Sequence, residues 1–82
     1  MSEYRYRVRS KFGDAEEFIV WADQLSRVLE VGSIQMDTWC RPEDRVGSLR
    51  GDGKVDLWFE GERVGYVIVE EYKHGQYVRL GG

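Results

Sequence analysis

The N-terminal part of the chain alternates between apolar and basic residues with a period of two. Tyr4, Tyr6 and Val8 fall on one side of residues 4–10, and the arginines between them fall on the other. Such alternation places successive side chains on opposite faces of a β-strand. We therefore predict a strand at 4–10 whose apolar side faces a core.

A pattern typical of an amphipathic helix follows over residues 14–31. Asp14 and Glu17 have the spacing of a capping box at a helix start, and Gly32 is of the type that commonly ends a helix. Apolar residues recur between them at intervals of three and four, as on one side of a helix. They are Ala15, Phe18, Ile19, Trp21, Ala22, Leu25, Val28 and Leu29. One helix is therefore expected over 14–31.

Alternation returns after Gly32 over 33–40 and 54–60, and residues 63–72 are apolar on both faces, as in a central strand, so further strands are predicted. They cover residues 33–40, 54–60, 63–72 and 76–80, with a further short strand at 46–50. Tight turns at Gly61-Glu62 and His74-Gly75 join the last three. The expected order is β-α-β-(β)-β-β-β. It describes an α+β fold with one helix packed on one face of a mostly antiparallel sheet of four or five strands.

The composition narrows the setting of the protein. Eighty-two residues make a single domain, 1–82, with 41% hydrophobic residues and a net charge of −3. No apolar run is long enough to cross a membrane, and the N-terminus lacks the apolar segment of a signal peptide. A lone cysteine cannot form an internal disulfide. These features predict a protein of the reducing cytoplasm.

Candidate catalytic and metal-binding residues are few. Cys40 and His74 are each the only residue of their kind. One Cys and one His cannot fill a four-coordinate zinc site, and no pattern brings them together as nucleophile and base. We therefore expect neither an enzyme nor a bound metal or cofactor.

A single helix covers only one face of the predicted sheet, and the opposite face is rich in aromatic residues. The alternation places on it Trp39, Trp58, Tyr66, Asp37, Asp56 and Glu60. Exposed Trp and Tyr are frequent hot spots of protein interfaces, so we expect a protein partner or a second copy of the chain to bind there. Alternatively, arginine side chains lie across the rings and cover them without a partner.

These observations favour a small non-enzymatic protein-binding module. Compact acidic domains of this size are common among phage and mobile-element inhibitors that dock on a larger host protein or complex. Inhibition of such a host protein is the function that we expect.

A second hypothesis is nucleic-acid binding through the basic stripe, which we define as Arg5, Arg7, Arg9 and Lys11. Cations at alternate positions of one strand suit a row of phosphate contacts. The same row also suits a solvent-facing strand whose charges discourage pairing at a sheet edge. The tyrosines between the arginines point to the other side, so the stripe lacks the stacking surface of a single-strand binder.

The end of the chain suggests a third hypothesis. Residues Val78-Arg79-Leu80-Gly81-Gly82 form a basic-apolar-Gly-Gly ending. This ending resembles that of ubiquitin-like modifiers and sulfur carriers, over these last residues alone. The resemblance implies a terminal glycine, Gly82, that is activated for transfer.

Overall fold

A computed structural model describes residues 4–45 and 51–81 of the chain. Its elements are, in order, β1 (Tyr6–Phe12), β2 (Phe18–Ala22), α1 (Leu25–Trp39), α2 (Pro42–Arg45), β3 (Lys54–Phe59), β4 (Glu62–Lys73) and β5 (Gln76–Arg79). The predicted α+β class is confirmed, with one long helix in the described residues and a sheet of five strands. The possible strand at 46–50 lies outside the described residues.

The sheet has the order β2-β1-β4-β3, and β5 also pairs with β4. All of the pairings are antiparallel. Strand β4 is long enough to pair with β3 through residues 62–68 and with β5 through residues 70–73. Strand β2 therefore forms one edge, while β3 and β5 follow each other along the opposite edge.

The core lies between α1 and one face of this sheet. Its buried apolar residues are Tyr6, Val8, Ala22, Val28, Met36, Cys40, Val55, Leu57, Val67 and Val69. The helix contributes Val28, Gly32 and Met36, spaced four residues apart, and Cys40 continues the row just beyond its end. Four-residue spacing keeps side chains on one side of a helix. Removal of this apolar surface from water is the main stabilising term of so small a domain.

The helix predicted over 14–31 is wrong in position. Residues 18–22 form strand β2, which pairs with β1 in a hairpin, and α1 begins only at Leu25. Consecutive β-branched and aromatic residues favour a strand, and pairing with β1 gives this run both hydrogen bonds and partial burial. The predicted capping box at Asp14 and Glu17 lies in the hairpin loop. There the Ala15 N–H donates to the carbonyl of Phe12 at 2.9 Å.

The strand predicted over 33–40 is also wrong, because these residues form the second half of α1 and its end. The alternation had placed Ile34 and Met36 on one face, whereas the helix separates them. Met36 is 8% exposed and faces the sheet, while Ile34 is 63% exposed. Gly32, predicted to end a helix, lies inside one, where glycine costs about 1 kcal/mol relative to alanine. It lies in the buried row of α1 between Val28 and Met36.

Candidate protein-binding surface

The face of the sheet away from α1 is called the open face below. The strand register places Arg7, Trp21, Asp56 and Tyr66 on it, among others. Leu57, Val67 and Val69 lie on the opposite side in the core, as the alternation predicted. The open face is therefore where the sequence placed its candidate site; the structure keeps Asp56 and Tyr66 there and adds Arg7 and Trp21.

Trp39 does not lie on the open face, because it ends α1 rather than a strand. Its ring packs against Phe12 at 6.0 Å and Phe59 at 5.0 Å between centroids. These three residues, with Gly13 and Val64, line an apolar cleft of about 260 Å³. The predicted grouping of Trp39 with the other two aromatic residues is therefore wrong. The predicted acid Asp37 is also on α1, where it is exposed.

Trp58 lies on β3 and is covered by Arg41, which lies between α1 and α2. The guanidinium carbon of Arg41 is 4.1 Å from the centre of the Trp58 ring. Its indole Nε1 is buried and has no hydrogen-bond partner in the described part of the chain. For this ring, the structure follows the alternative in which arginine covers the exposed aromatic surface.

The predicted acids beside Trp58 differ in what they contact. Asp56 accepts a hydrogen bond from Nε of Arg63 at 2.9 Å, and Arg63 also reaches within 6.0 Å of the Tyr66 ring. Glu60 is exposed in the turn between β3 and β4, with a φ of 51°. Of these two acids, Asp56 alone has an ion-pair partner among the residues that the structure describes.

Tyr66 is held by a network that includes the loop before β2. Its hydroxyl donates a short hydrogen bond to Glu17, and Nε and Nη2 of Arg9 donate to the same carboxylate at 3.0 and 3.2 Å. The Arg9 and Tyr66 hydrogen bonds lower the pKa of Glu17 below its ordinary value. The bond to the Glu17 carboxylate raises the pKa of the Tyr66 hydroxyl, as does its burial. The network pins the hairpin loop to the open face.

The three arginines of the basic stripe are paired with carboxylates, whereas its lysine bonds to a backbone carbonyl. Nε of Arg5 lies 3.1 Å from Glu71, and Nε of Arg7 lies 2.8 Å from Glu70. Arg9 adds a second contact to Glu70 at 3.6 Å, besides its bonds to Glu17. The Lys11 ammonium donates to a loop carbonyl at 2.6 Å. Strand register produces these pairs, because β4 places Glu70 directly opposite Arg7.

A row of aromatic side chains, not foreseen as a site, crosses one end of the sheet. The aromatic row consists of Tyr4, Trp21, Tyr77 and Tyr72. Its successive ring centroids are 6.3, 5.5 and 5.2 Å apart. Arg7 lies 4.7 Å from the ring centre of Tyr77. Trp21 and Tyr4 are nevertheless 43% and 48% exposed. The row thus presents aromatic area to solvent even after its internal stacking.

Strand β2 carries two further exposed apolar side chains: Ile19 lies on the open face with Trp21, and Phe18 lies on the core-facing side against Phe12. Phe18 and Ile19 are 40% and 43% exposed, and they project to opposite faces of the same edge strand. A pocket of about 380 Å³ lies beside Trp21, between Tyr4 and Arg27. Sequence patterns missed this region because they assigned residues 18–22 to a helix and Tyr4 to the core.

The described residues offer no cluster of metal ligands, and the single cysteine and histidine lie in different parts of the fold. In the described part of the chain, no group of three or more His, Cys, Asp and Glu side chains is placed to hold a metal ion. Cys40 is buried at the end of α1, and His74 is exposed in the turn between β4 and β5. No helix in the part of the chain that the structure describes is long and apolar enough to span a membrane.

Comparison of the chain with protein-family models, curated proteins and solved structures finds no match. The candidate site therefore has to be interpreted from its own geometry.

Proposed function

We propose that the protein is a non-enzymatic protein-binding module that uses the aromatic row and the adjoining strand β2. The observation that carries this proposal is the exposure of Tyr4, Trp21 and Ile19, because Trp21 packs against Tyr4 and lies two residues from Ile19 on the open face of β2. Exposed apolar patches rimmed by polar groups mark interaction sites on soluble proteins. Trp and Tyr in such patches also supply much of the binding energy of known interfaces.

The charge arrangement favours a protein over a nucleic acid as the partner. Nucleic-acid affinity comes largely from lysines and arginines that neutralise phosphates and release counterions. Here the arginines of the basic stripe are paired with Glu17, Glu70 and Glu71. A phosphate would have to compete with these carboxylates, one of which, Glu70, is only 7% exposed.

The ubiquitin-like hypothesis stays a prediction, and the packing of the tail weighs against it. The Leu80 N–H donates to the carbonyl of Val69 at 2.9 Å. A Cβ built on Gly81 would overlap the carbonyl oxygen of Gly51, so the backbone is closely packed there. A transferable tail needs free residues before its terminal glycine, and Gly82 itself lies outside the described residues.

We further propose a cytoplasmic setting, in keeping with a single buried cysteine, and inhibition of a host protein as the consequence of binding. The second point rests on size and charge alone. Inhibition is tested by measuring the activity of the captured partner with and without the module.

The test is partner capture followed by reconstitution. The tagged protein and a Trp21→Ser/Tyr72→Ser variant are compared as baits in extracts of the source cells. A matched control is Ile34→Ser, which removes an apolar side chain that is 63% exposed on α1. Loss of two aromatic contacts should weaken binding of the purified partner at least about tenfold by calorimetry.

Circular dichroism must first show that the variants fold. If Trp21→Ser/Tyr72→Ser does not fold, Tyr4→Ser takes its place, because Tyr4 precedes the first strand. A partner that binds wild type and the row variants equally would contradict the proposal. The control variant should bind like wild type.

A further inference from the structure

Strand β2 is an edge strand without the usual protection against pairing. Its sequence, Phe-Ile-Val-Trp-Ala, contains no charge, no proline and no glycine. In the described residues, β1 pairs with one side of it and no strand lies on the other. Alternate residues of an antiparallel edge strand direct their N–H and C=O groups outward, where an extended chain can bond to them.

The opposite edge of the sheet is protected, which sets β2 apart. Strand β3 carries Lys54 and Asp56, has an irregularity between Leu57 and Trp58, and is contacted by α2. Strand β5 spans only four residues and ends in Arg79. Charges, irregularities, short length and covering elements are the devices by which proteins block edge pairing. Within the described chain, the five residues of β2 carry no charge and no irregularity, although α1 contacts the strand from the core side.

The charges at both ends of β2 specify what can lie along it. Asp14 and Glu16 precede the strand and Asp23 follows it, and all three are exposed. None of them has an ion-pair partner among the residues that the structure describes. A strand with apolar residues in its centre and cations at its ends would complement this edge in either direction.

The same charges disfavour a second copy of the chain. Antiparallel pairing of two β2 strands about Val20 would place Glu17 of each copy opposite Asp23 of the other. The Glu17 charge is compensated by Arg9 within its own copy, but Asp23 would meet no cation, and like charges directly opposite each other destabilise a strand pair. A copy of the chain is therefore a poorer occupant than a strand with basic ends.

We propose that the outer edge of β2 adds a strand from a partner protein, an extended segment with alternating apolar residues and with Lys or Arg at its ends. This inference rests on the proposed function and specifies how its partner binds. Backbone hydrogen bonds to β2 provide the pairing, Phe18 and Ile19 contact the partner's side chains on the two faces, and the flanking acids select a basic segment.

The test uses the full chain and a synthetic peptide in which Val and Thr alternate between paired lysines. Its controls are the same peptide with glutamates in place of the lysines, and one N-methylated at alternate residues on the pairing side. Binding is followed by amide chemical shifts and hydrogen exchange. We expect the lysine peptide to protect alternate amides within 18–22, and we expect both controls to bind at least about tenfold more weakly.

Protein variants test the selection by charge. Glu16→Lys/Asp23→Lys should lower the affinity for the lysine peptide about tenfold and raise the affinity for the glutamate peptide. The matched control, Glu30→Lys/Glu62→Lys, changes net charge equally but at exposed positions away from β2. It should leave both peptides nearly unaffected.

Several outcomes would overturn the inference. One is a set of amide chemical-shift changes that lies outside β2, and another is peptide binding that N-methylation does not weaken. A third is an equal effect of Glu16→Lys/Asp23→Lys and Glu30→Lys/Glu62→Lys on binding. The last is a dimer through β2, detected by sedimentation. If these occur while the cellular partner still depends on the aromatic row, only the strand-addition inference fails. If the peptide pairs with β2 but no cellular partner depends on the row, the proposed function fails instead.

Discussion

Replacement of Ser10 by alanine should make this protein more stable. Ser10 lies in the middle of β1 on the side that faces the core, with 0% of its surface exposed. Its hydroxyl oxygen is buried and finds no hydrogen-bond partner in the parts of the chain that the structure describes. A hydroxyl buried without a partner costs about 1–3 kcal/mol, because it has lost its bonds to water.

The expected gain follows from the small difference between the two side chains. Alanine removes the unsatisfied oxygen, and the loss of one small atom opens little cavity, so about 1 kcal/mol of the penalty should be recovered. For a domain of this size, 1 kcal/mol corresponds to a rise in Tm of about 4–8 °C. Thermal and urea unfolding followed by circular dichroism would measure both quantities.

Two further substitutions at Ser10 separate the hydroxyl from its volume. Ser10→Cys replaces the hydroxyl with a more weakly solvated thiol and should also stabilise the protein. Ser10→Thr keeps the hydroxyl and adds a methyl group to a packed core, so it should not. A Ser10→Ala variant that is 1 kcal/mol or more less stable than wild type would refute the reasoning. It would show that the hydroxyl has a hydrogen-bond partner in the folded protein.

Three other predictions concern the network, the sheet and the basic stripe. Glu17→Gln should lower the free energy of unfolding at neutral pH, because it removes the charged acceptor of the Arg9 hydrogen bonds. The loss should be only about 0.5–1 kcal/mol, since the carboxylate is partly exposed. The lowered pKa of Glu17 places this contribution above the unfolded value of about 4.5. It should vanish as pH falls through the folded value, and a difference from wild type that persists in acid would contradict the assignment. Gly65→Ala should lower the free energy of unfolding, measured in urea, by more than about 3 kcal/mol, because the added Cβ would overlap the carbonyl oxygen of Lys11. A variant as stable as wild type would exclude that close approach. Alanine substitution of the basic stripe should not change the fluorescence anisotropy of labelled single-stranded DNA mixed with the protein. Binding that falls steeply with salt and is lost in this variant would instead favour the nucleic-acid hypothesis.

The last three strands could be predicted from sequence because their turns are marked locally. Gly61 and Gly75 adopt φ values of 82° and 86°, a conformation open to glycine and strained for most other residues. Together with the alternation of 54–60 and the apolar run of 63–72, these turns set predicted limits that match the observed β3, β4 and β5 to within one residue. Here local chemistry and the final fold favour the same structure.

The position of the helix could not be predicted in the same way. Residues 18–22 are apolar throughout, so they satisfy a helical period and a strand period equally well. Pairing with β1, a contact outside the segment itself, decides between them. Over residues 33–40 the apparent alternation was incidental, because Met36 and Cys40 are also four residues apart and fit the buried side of a helix.

The candidate site was predicted only where strand assignment was correct. Trp58 and Tyr66 lie on strands with the expected phase, whereas Trp39 moved to the helix. The pairing of Arg7 with Glu70 depends on the register between β1 and β4. Neither residue carries a local signal of that register, so the pairing of the stripe's arginines with carboxylates could not be recognised from the sequence.

The reassignment of residues 18–22 from helix to strand changes the nature of the candidate site. A helix would satisfy its own backbone groups and offer a partner only side chains. An edge strand offers, in addition, backbone groups on its free side, and these are independent of side-chain identity. Substitutions such as Trp21→Ser therefore test the aromatic row but leave the strand able to pair. N-methylation of the incoming segment removes the backbone pairing while every side chain is kept. Measured separately, side-chain substitutions and N-methylation therefore divide the affinity between side-chain contacts and backbone hydrogen bonds.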